Sequence, residues 1–203
     1  MMNDFLFAGN NTRRQRDRVA VLFGGRSQEH EISVLSAASI IGAIDREKHD
    51  VVPVAIAKDG AWYLIDTDMS GLSALNDPLM ERLFPNSASE AADATAYPDA
   101  HFIDIAAFAA SVDFVFPALH GPYGEDGSVQ GLFETLSIPY AGCGICASAI
   151  AMDKIITKEL LARVDIPVLD YLYMTAHEYG LDAPGSLSRI EDALGYPVFV
   201  KPA

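Results

Sequence analysis

"RVAVLFGGRSQEHEISVLSAASIIGAI" (residues 18–44) decides how the rest of the chain is read. It opens on a β-branched apolar run, 18–23, which stops at Gly24-Gly25. A polar stretch, "RSQEHE", follows, and then "ISVLSAASIIGAI", where Ile32, Leu35, Ser36, Ser39, Ile40 and Ala43 recur at helical spacing. Strand, glycine loop and helix in succession form the first step of an open α/β sheet. In such sheets ligands bind beyond the carboxyl ends of the strands.

Working outward, "VVPVAIA" (51–57), the turn "KDG" (58–60) and "AWYLI" (61–65) predict two strands joined by a glycine turn. From about Asp66 the pattern weakens, and "NSASEAADATAYPDA" (86–100) reads as a solvated insertion. "VDFVFPAL" (112–119) restores a buried-strand pattern and runs into "HGPYGEDGS" (120–128), a helix at 129–136 and a short strand "IPYAG" (138–142). Beyond Gly144 the spacing predicts one helix over 147–164, a strand over 165–174, a helix over 186–194 and a last strand, "YPVFV" (196–200), that carries Lys201. The expected organisation is a flexible leader (1–16), an α/β domain (17–142) and a second, incomplete domain (143–203).

Composition narrows the function. Fourteen Lys and Arg against 28 Asp and Glu give a formal charge of −14, which disfavours a nucleic-acid binder or a binder of anionic membranes. No apolar stretch reaches the ~18 residues that span a bilayer, and the start has no signal-peptide order of charge before apolar core, so a cytoplasmic location is expected. The only two cysteines stand as C-x-x-C in "GCGIC" (142–146). That spacing suits a redox pair or half a zinc site, but small neighbours and the absence of a second pair favour both as packing residues.

Three places offer chemistry. In 23–33 the glycines admit close approach of a ligand, and Glu29 and Glu31 either hold an ammonium group or favour the helix start; Glu-His-Glu on adjacent loop positions converges poorly on a metal. In "LHGPYGEDGSVQG" (119–131), His120 is either a donor to substrate or a residue satisfied by the loop, and Asp126 and Ser128 have the character of helix caps. Lys154 and Lys201 are point charges on flexible stems, suited to phosphate or to solvent, as is Lys158 one helical turn on.

Together "VLFGGRSQEHEIS" (21–33), "FPALHGPYGEDGSVQG" (116–131), "AMDKIITKELL" (151–161) and "YPVFVKPA" (196–203), in that order, resemble the D-alanine–D-alanine ligase family of the ATP-grasp superfamily. The resemblance implies an open, mainly parallel α/β sheet followed by the first part of an ATP-grasp α+β module. It implies a reaction in which ATP phosphorylates one D-alanine and the amine of a second displaces phosphate, making the dipeptide for peptidoglycan.

Residue by residue, the resemblance makes Glu29 the group that holds the first D-alanine's ammonium, with His120 and Gly121 in the same subsite. Lys154 and Lys201 become the lysines on the ATP phosphates. It further implies a homodimer through the first domain, and Mg2+ ligands that lie beyond Ala203. The 203-residue chain alone is therefore expected to be inactive. Two alternatives accompany this: an inactive module that dimerises or binds D-alanine weakly, and a ligase taking D-serine or D-lactate at its second subsite.

Overall fold

The computed structural model describes residues 16–66, 69 and 100–202. The chain divides into two compact units, one reaching Ser148 and one starting at Ala149.

The first unit is built on β1 (Asp17–Gly24), α1 (His30–Ala43), β2 (His49–Ile56), β3 (Trp62–Ile65), β4 (Ala100–Phe102), α2 (Ile105–Ser111), β5 (Phe114–Pro117) and α3 (Ser128–Leu136). These strands form one sheet in the order β4-β3-β2-β1-β5. β1 runs parallel to β2 and to β5, with Val19 opposite both Val51 and Phe114, while β3 and β4 add antiparallel pairs on one side. The parallel core with helices is the expected α/β class.

The alternation of β1 explains its layers. Val21 and Phe23 point to one face, where Val34, Ala37, Ala38 and Ile41 of α1 cover them. Ala20 and Leu22 point to the other, against Phe108 of α2 and Phe133 of α3. A strand buried on both faces needs a continuous apolar run, which is what 19–23 supplies. Fully burying a side chain such as Phe108 or Phe133 stabilises the fold by roughly 1.5–3 kcal/mol. α2 starts cleanly because Asp104 caps it, accepting a hydrogen bond from the Ala107 N–H at 2.8 Å.

Several expectations change. The buried face of α1 is His30, Ser33, Val34, Ala37, Ala38 and Ile41, whereas Ile32 is exposed. Bulk misled the pattern: a serine and a histidine occupy the inner stripe because hydrogen bonds there satisfy them. β4 and α2 lie where no element was foreseen, and "IPYAG" contributes only a bridge between Tyr140 and Val115. Arg16, counted with the leader, is tied to the sheet by an ion pair to Asp50 at 2.8 Å. The rest of the leader, 1–15, and the insertion at 86–99 lie outside the described residues; Ala100 begins β4.

Beyond Gly144 the single predicted helix is two, α4 (Ile145–Met152) and α5 (Lys154–Arg163). Asp153 separates them by capping the second, its carboxylate accepting from the N–H groups of Ile155 and Ile156. In the second unit α6 (Ala176–Leu181) opens on a Thr175–Glu178 capping box, and α7 (Ala183–Leu194) starts before the predicted 186. Neither 165–174 nor 196–200 forms a strand among the described residues. An extended run becomes a strand only when a neighbour takes up its N–H and C=O groups, and no described segment does so here.

Candidate functional site

β1 lies between β2 and β5, so its carboxyl end is where successive connections leave in opposite directions along the sheet. A crevice opens at such a point, flanked by the loops after the two diverging strands. Here those are the loop 25–29 after β1 and the loop 118–127 after β5, and both carry candidate residues.

Three serines fasten the loops together. Ser33, fully buried on α1, accepts a hydrogen bond from the Gly24 N–H at 2.8 Å and donates to the Ala118 carbonyl at 2.7 Å. Ser27 donates to the His120 carbonyl at 2.7 Å and accepts from the Glu29 N–H at 3.2 Å. Ser36, one helical turn beyond Ser33, pairs its hydroxyl with His120 Nε2 at 2.9 Å. Each such bond contributes about 0.5–1.5 kcal/mol, and together they hold the backbone and ring of His120 in one place. None of the three was singled out as a site residue in the sequence. The available signal was polar residues at 33 and 36 on a helix whose apolar neighbours mark the same side.

Glu29, His120 and Gly121 are brought together. Gly121 has φ +70°, and a Cβ there would stand 2.8 Å from Glu29 Oε2 and 3.3 Å from Ser27 Cβ, so only glycine leaves the carboxylate its space. Glu29 sits at the helix N-cap position without capping it, and its exposed carboxylate takes no hydrogen bond from any described residue. Glu31 differs. Its carboxylate binds Lys58 Nζ at 2.6 Å; burial works against its ionisation, but the Lys58 hydrogen bond and charge outweigh it and hold the carboxyl below its ordinary range. Of the two glutamates offered by the sequence, Glu31 is thus occupied and Glu29 is presented.

His30, between them, is structural. Its ring is buried and its Nδ1 lies 2.7 Å from the Gly25 carbonyl, which can only accept, so Nδ1 carries the proton. Burial lowers its pKa below the ordinary histidine value and keeps it neutral. Glu29, His30 and Glu31 therefore turn to different surroundings and do not converge on a metal.

The loop after β5 is stiffened from within. Glu125 accepts from the Gly121 N–H at 2.6 Å, and Asp126 accepts from the N–H groups of Tyr123 and Ser128. Partial burial of Asp126 opposes ionisation, yet these N–H donors prevail and hold its carboxyl below the usual range. A cavity of about 200 Å3 adjoins the loop, lined among others by Gly25, Trp62, His120 and Tyr123, with Arg26 over the Tyr123 ring at 5.6 Å. It is small beside the ~300–1,000 Å3 of drug-sized pockets.

The lysines lie in the second unit. Lys154 is the first residue of α5 and is exposed. Lys158 donates to the Leu169 carbonyl at 3.2 Å and lies 4.5 Å from the centre of the Tyr171 ring, so packing accounts for it. Lys201 is exposed in a segment that has no strand partner among the described residues, rather than on a strand end. Cys143 and Cys146 are free and exposed, which corrects the expectation that they fill the core; the loop-to-helix junction that carries them lies on the surface.

A family model described as the N-terminus of D-ala D-ala ligase matches residues 18–143. Among curated relatives, D-alanine–D-alanine ligase of Chlorobium limicola is 42% identical over 91% of this chain and 51% of its own length. That of Caldicellulosiruptor bescii is 44% identical over 92% and 50%. The D-alanine-D-alanine ligase structure from Coxiella burnetii superposes with a TM-score of 0.71 at 33% identity, covering 89% of this chain and 50% of that one. The VanG D-Ala:D-Ser ligase from Enterococcus faecalis gives 0.65 at 29%, covering 90% and 51%. The chain spans about half the length of the curated relatives it matches. With the sheet, the two loops and the family model in agreement over 18–143, this chain belongs to the D-alanine–D-alanine ligase family.

Proposed function

We propose that the crevice between the β1 and β5 loops binds the first D-alanine of an ATP-dependent D-alanine–D-alanine ligase that makes a peptidoglycan precursor in the cytoplasm. The observation that carries this reading is the presented carboxylate of Glu29, held beside Gly121 and His120 without a described hydrogen-bond donor of its own. An amino acid brings an ammonium group that supplies the missing partner, and a charge-assisted hydrogen bond of this kind contributes about 1.5–3 kcal/mol. Glu29 acts on the amine, away from the carboxylate that reacts. His120, pinned by Ser36, lines the same subsite.

In the proposed reaction the carboxylate oxygen of the bound D-alanine attacks the γ-phosphorus of ATP and ADP leaves. The amine of a second D-alanine then attacks the acyl phosphate carbon; the C–O bond breaks, phosphate leaves with its electron pair, and the amine gives up a proton to solvent as the amide forms. Lys154 and Lys201 are assigned to the nucleotide phosphates, where positive charge offsets the charge developing on oxygen. Magnesium belongs to this reading through the family, but no group of three or more His, Cys, Asp or Glu gathers among the described residues. A homodimer through the first domain completes the proposal. D-serine or D-lactate at the second subsite remains the alternative substrate reading, and the similarity to a D-Ala:D-Ser ligase favours testing D-serine beside D-alanine.

The test is calorimetric titration of D-alanine into the protein and into Glu29→Gln, with phosphate release from ATP and magnesium measured alongside. The variant should bind about 10- to 150-fold more weakly while keeping its thermal midpoint. Undiminished affinity would remove Glu29 from the ammonium site.

A further inference from the structure

We infer that the cavity beside the β5 loop is a second binding site, one that takes a small monocarboxylate with a compact apolar body. Its volume of about 200 Å3 suits a ligand below drug size. The walls include Ile56, Trp62, Leu119 and Val129, all of the core cluster on the α2 and α3 face of the sheet. Glu29 and Gly121 do not line it, and the His120 ring pairs with Ser36 on α1, which covers the opposite face. The inference therefore stands independently of the Glu29 reading.

Arg26, a cation at the mouth, is held from two sides. Its Cδ and Nε lie 3.7 Å from where a Cβ on Gly60 would stand, and its guanidinium carbon lies 5.6 Å from the centre of the Tyr123 ring. A guanidinium over an aromatic face keeps the N–H fork at its edge available to a planar carboxylate. Arg26 makes no hydrogen bond or ion pair with any described residue. The nearby acids are engaged elsewhere: Asp59 accepts from the Ala61 N–H, Glu125 from that of Gly121, and Asp126 from those of Tyr123 and Ser128. Tyr123 is the second sign of a built site. It has φ +69° yet is 54% exposed, so a bulky residue keeps a costly left-handed backbone with little burial to offset it. The Asp126 carboxylate fixes it there at 2.8 Å, with its ring beneath the guanidinium. Apolar walls and a preorganised cation at the mouth match a hydrocarbon body that ends in a single carboxylate.

The probe is isocaproate, a branched hydrocarbon with one carboxylate, and the readout is the emission of Trp62, the chain's only tryptophan. Titration should shift that emission saturably. Arg26→Gln should weaken binding about 10-fold or more, and Tyr123→Gly, which suits the left-handed backbone, about 2- to 5-fold, both with the thermal midpoint kept. Isohexanol, the same body without charge, should bind the parent protein no better than isocaproate binds Arg26→Gln. The absence of a saturable shift, undiminished affinity in Arg26→Gln, or equal affinity for the alcohol would overturn the inference. Displacement of isocaproate by D-alanine would also overturn it, by moving the probe into the Glu29 crevice.

Discussion

β1 and the segment 196–200 are written in the same vocabulary, a short apolar run next to glycine, and they end in opposite states. Val21, Leu22 and Phe23 are wholly buried, whereas Phe199 is 97% and Val200 86% exposed. β1 has β2 on one side, β5 on the other and helices over both faces; 196–200 has no strand beside it among the described residues. The difference teaches that an apolar run licenses a strand without making one, because the backbone must still find a neighbour for its N–H and C=O groups. The same division runs through the candidate residues. Glu29 and His120 are framed by named hydrogen bonds, while Lys154 and Lys201 stand exposed.

The widest gap should appear when one aromatic is removed from each region. Phe133→Ala, in the first unit's core, should cost about 3–5 kcal/mol in urea unfolding, and Phe199→Ala should stay within about 0.5 kcal/mol. Equal losses would break the contrast. Next comes acid. Burial depresses the folded-state pKa of His30, so the unfolded chain takes up the proton first as pH falls. The associated stability is complete above about pH 6.5 and declines below it, by at most about 1.4 kcal/mol per pH unit. His30→Asn retains a donor for the Gly25 carbonyl and should flatten that part of the urea-midpoint profile; an unchanged slope would place the titration elsewhere. The smallest effect sharpens the site itself. Ser36→Ala should weaken D-alanine binding about 2- to 10-fold, with Ser36→Thr recovering most of it, because the hydroxyl and not the bulk holds His120. Calorimetry on the two variants decides this.

β1, β2, β3 and β5 were legible because each is a short apolar run closed by turn residues, and the α/β class followed from their alternation with helices. β4 and α2 were not, since "AHF" and "IAAFAAS" are short and gain their definition from Tyr63, the Asp104 cap and the core around Phe108. The inner face of α1 was misread for an instructive reason: Ser33 and His30 are buried by hydrogen bonds that only the folded loops supply. Glu29 and Glu31 were equivalent on paper. Lys58, remote in sequence, separates them by engaging one. The split of 147–164 at Asp153 was open to a reader who weighed an aspartate preceding a helical run as a cap.

Ser33 and its acceptor at Ala118 lie 85 positions apart in the chain. At about 5–20 residues per second, a ribosome adds the acceptor roughly 4–17 s after the serine. During that interval the nascent chain already displays Glu29 but has nothing to set it against. Under the proposed function, recognition therefore waits on β5: the two loops meet only when that strand emerges and docks beside β1. A slow codon run or a stalled ribosome between those points would leave a well-begun sheet without the loop that completes the proposed crevice.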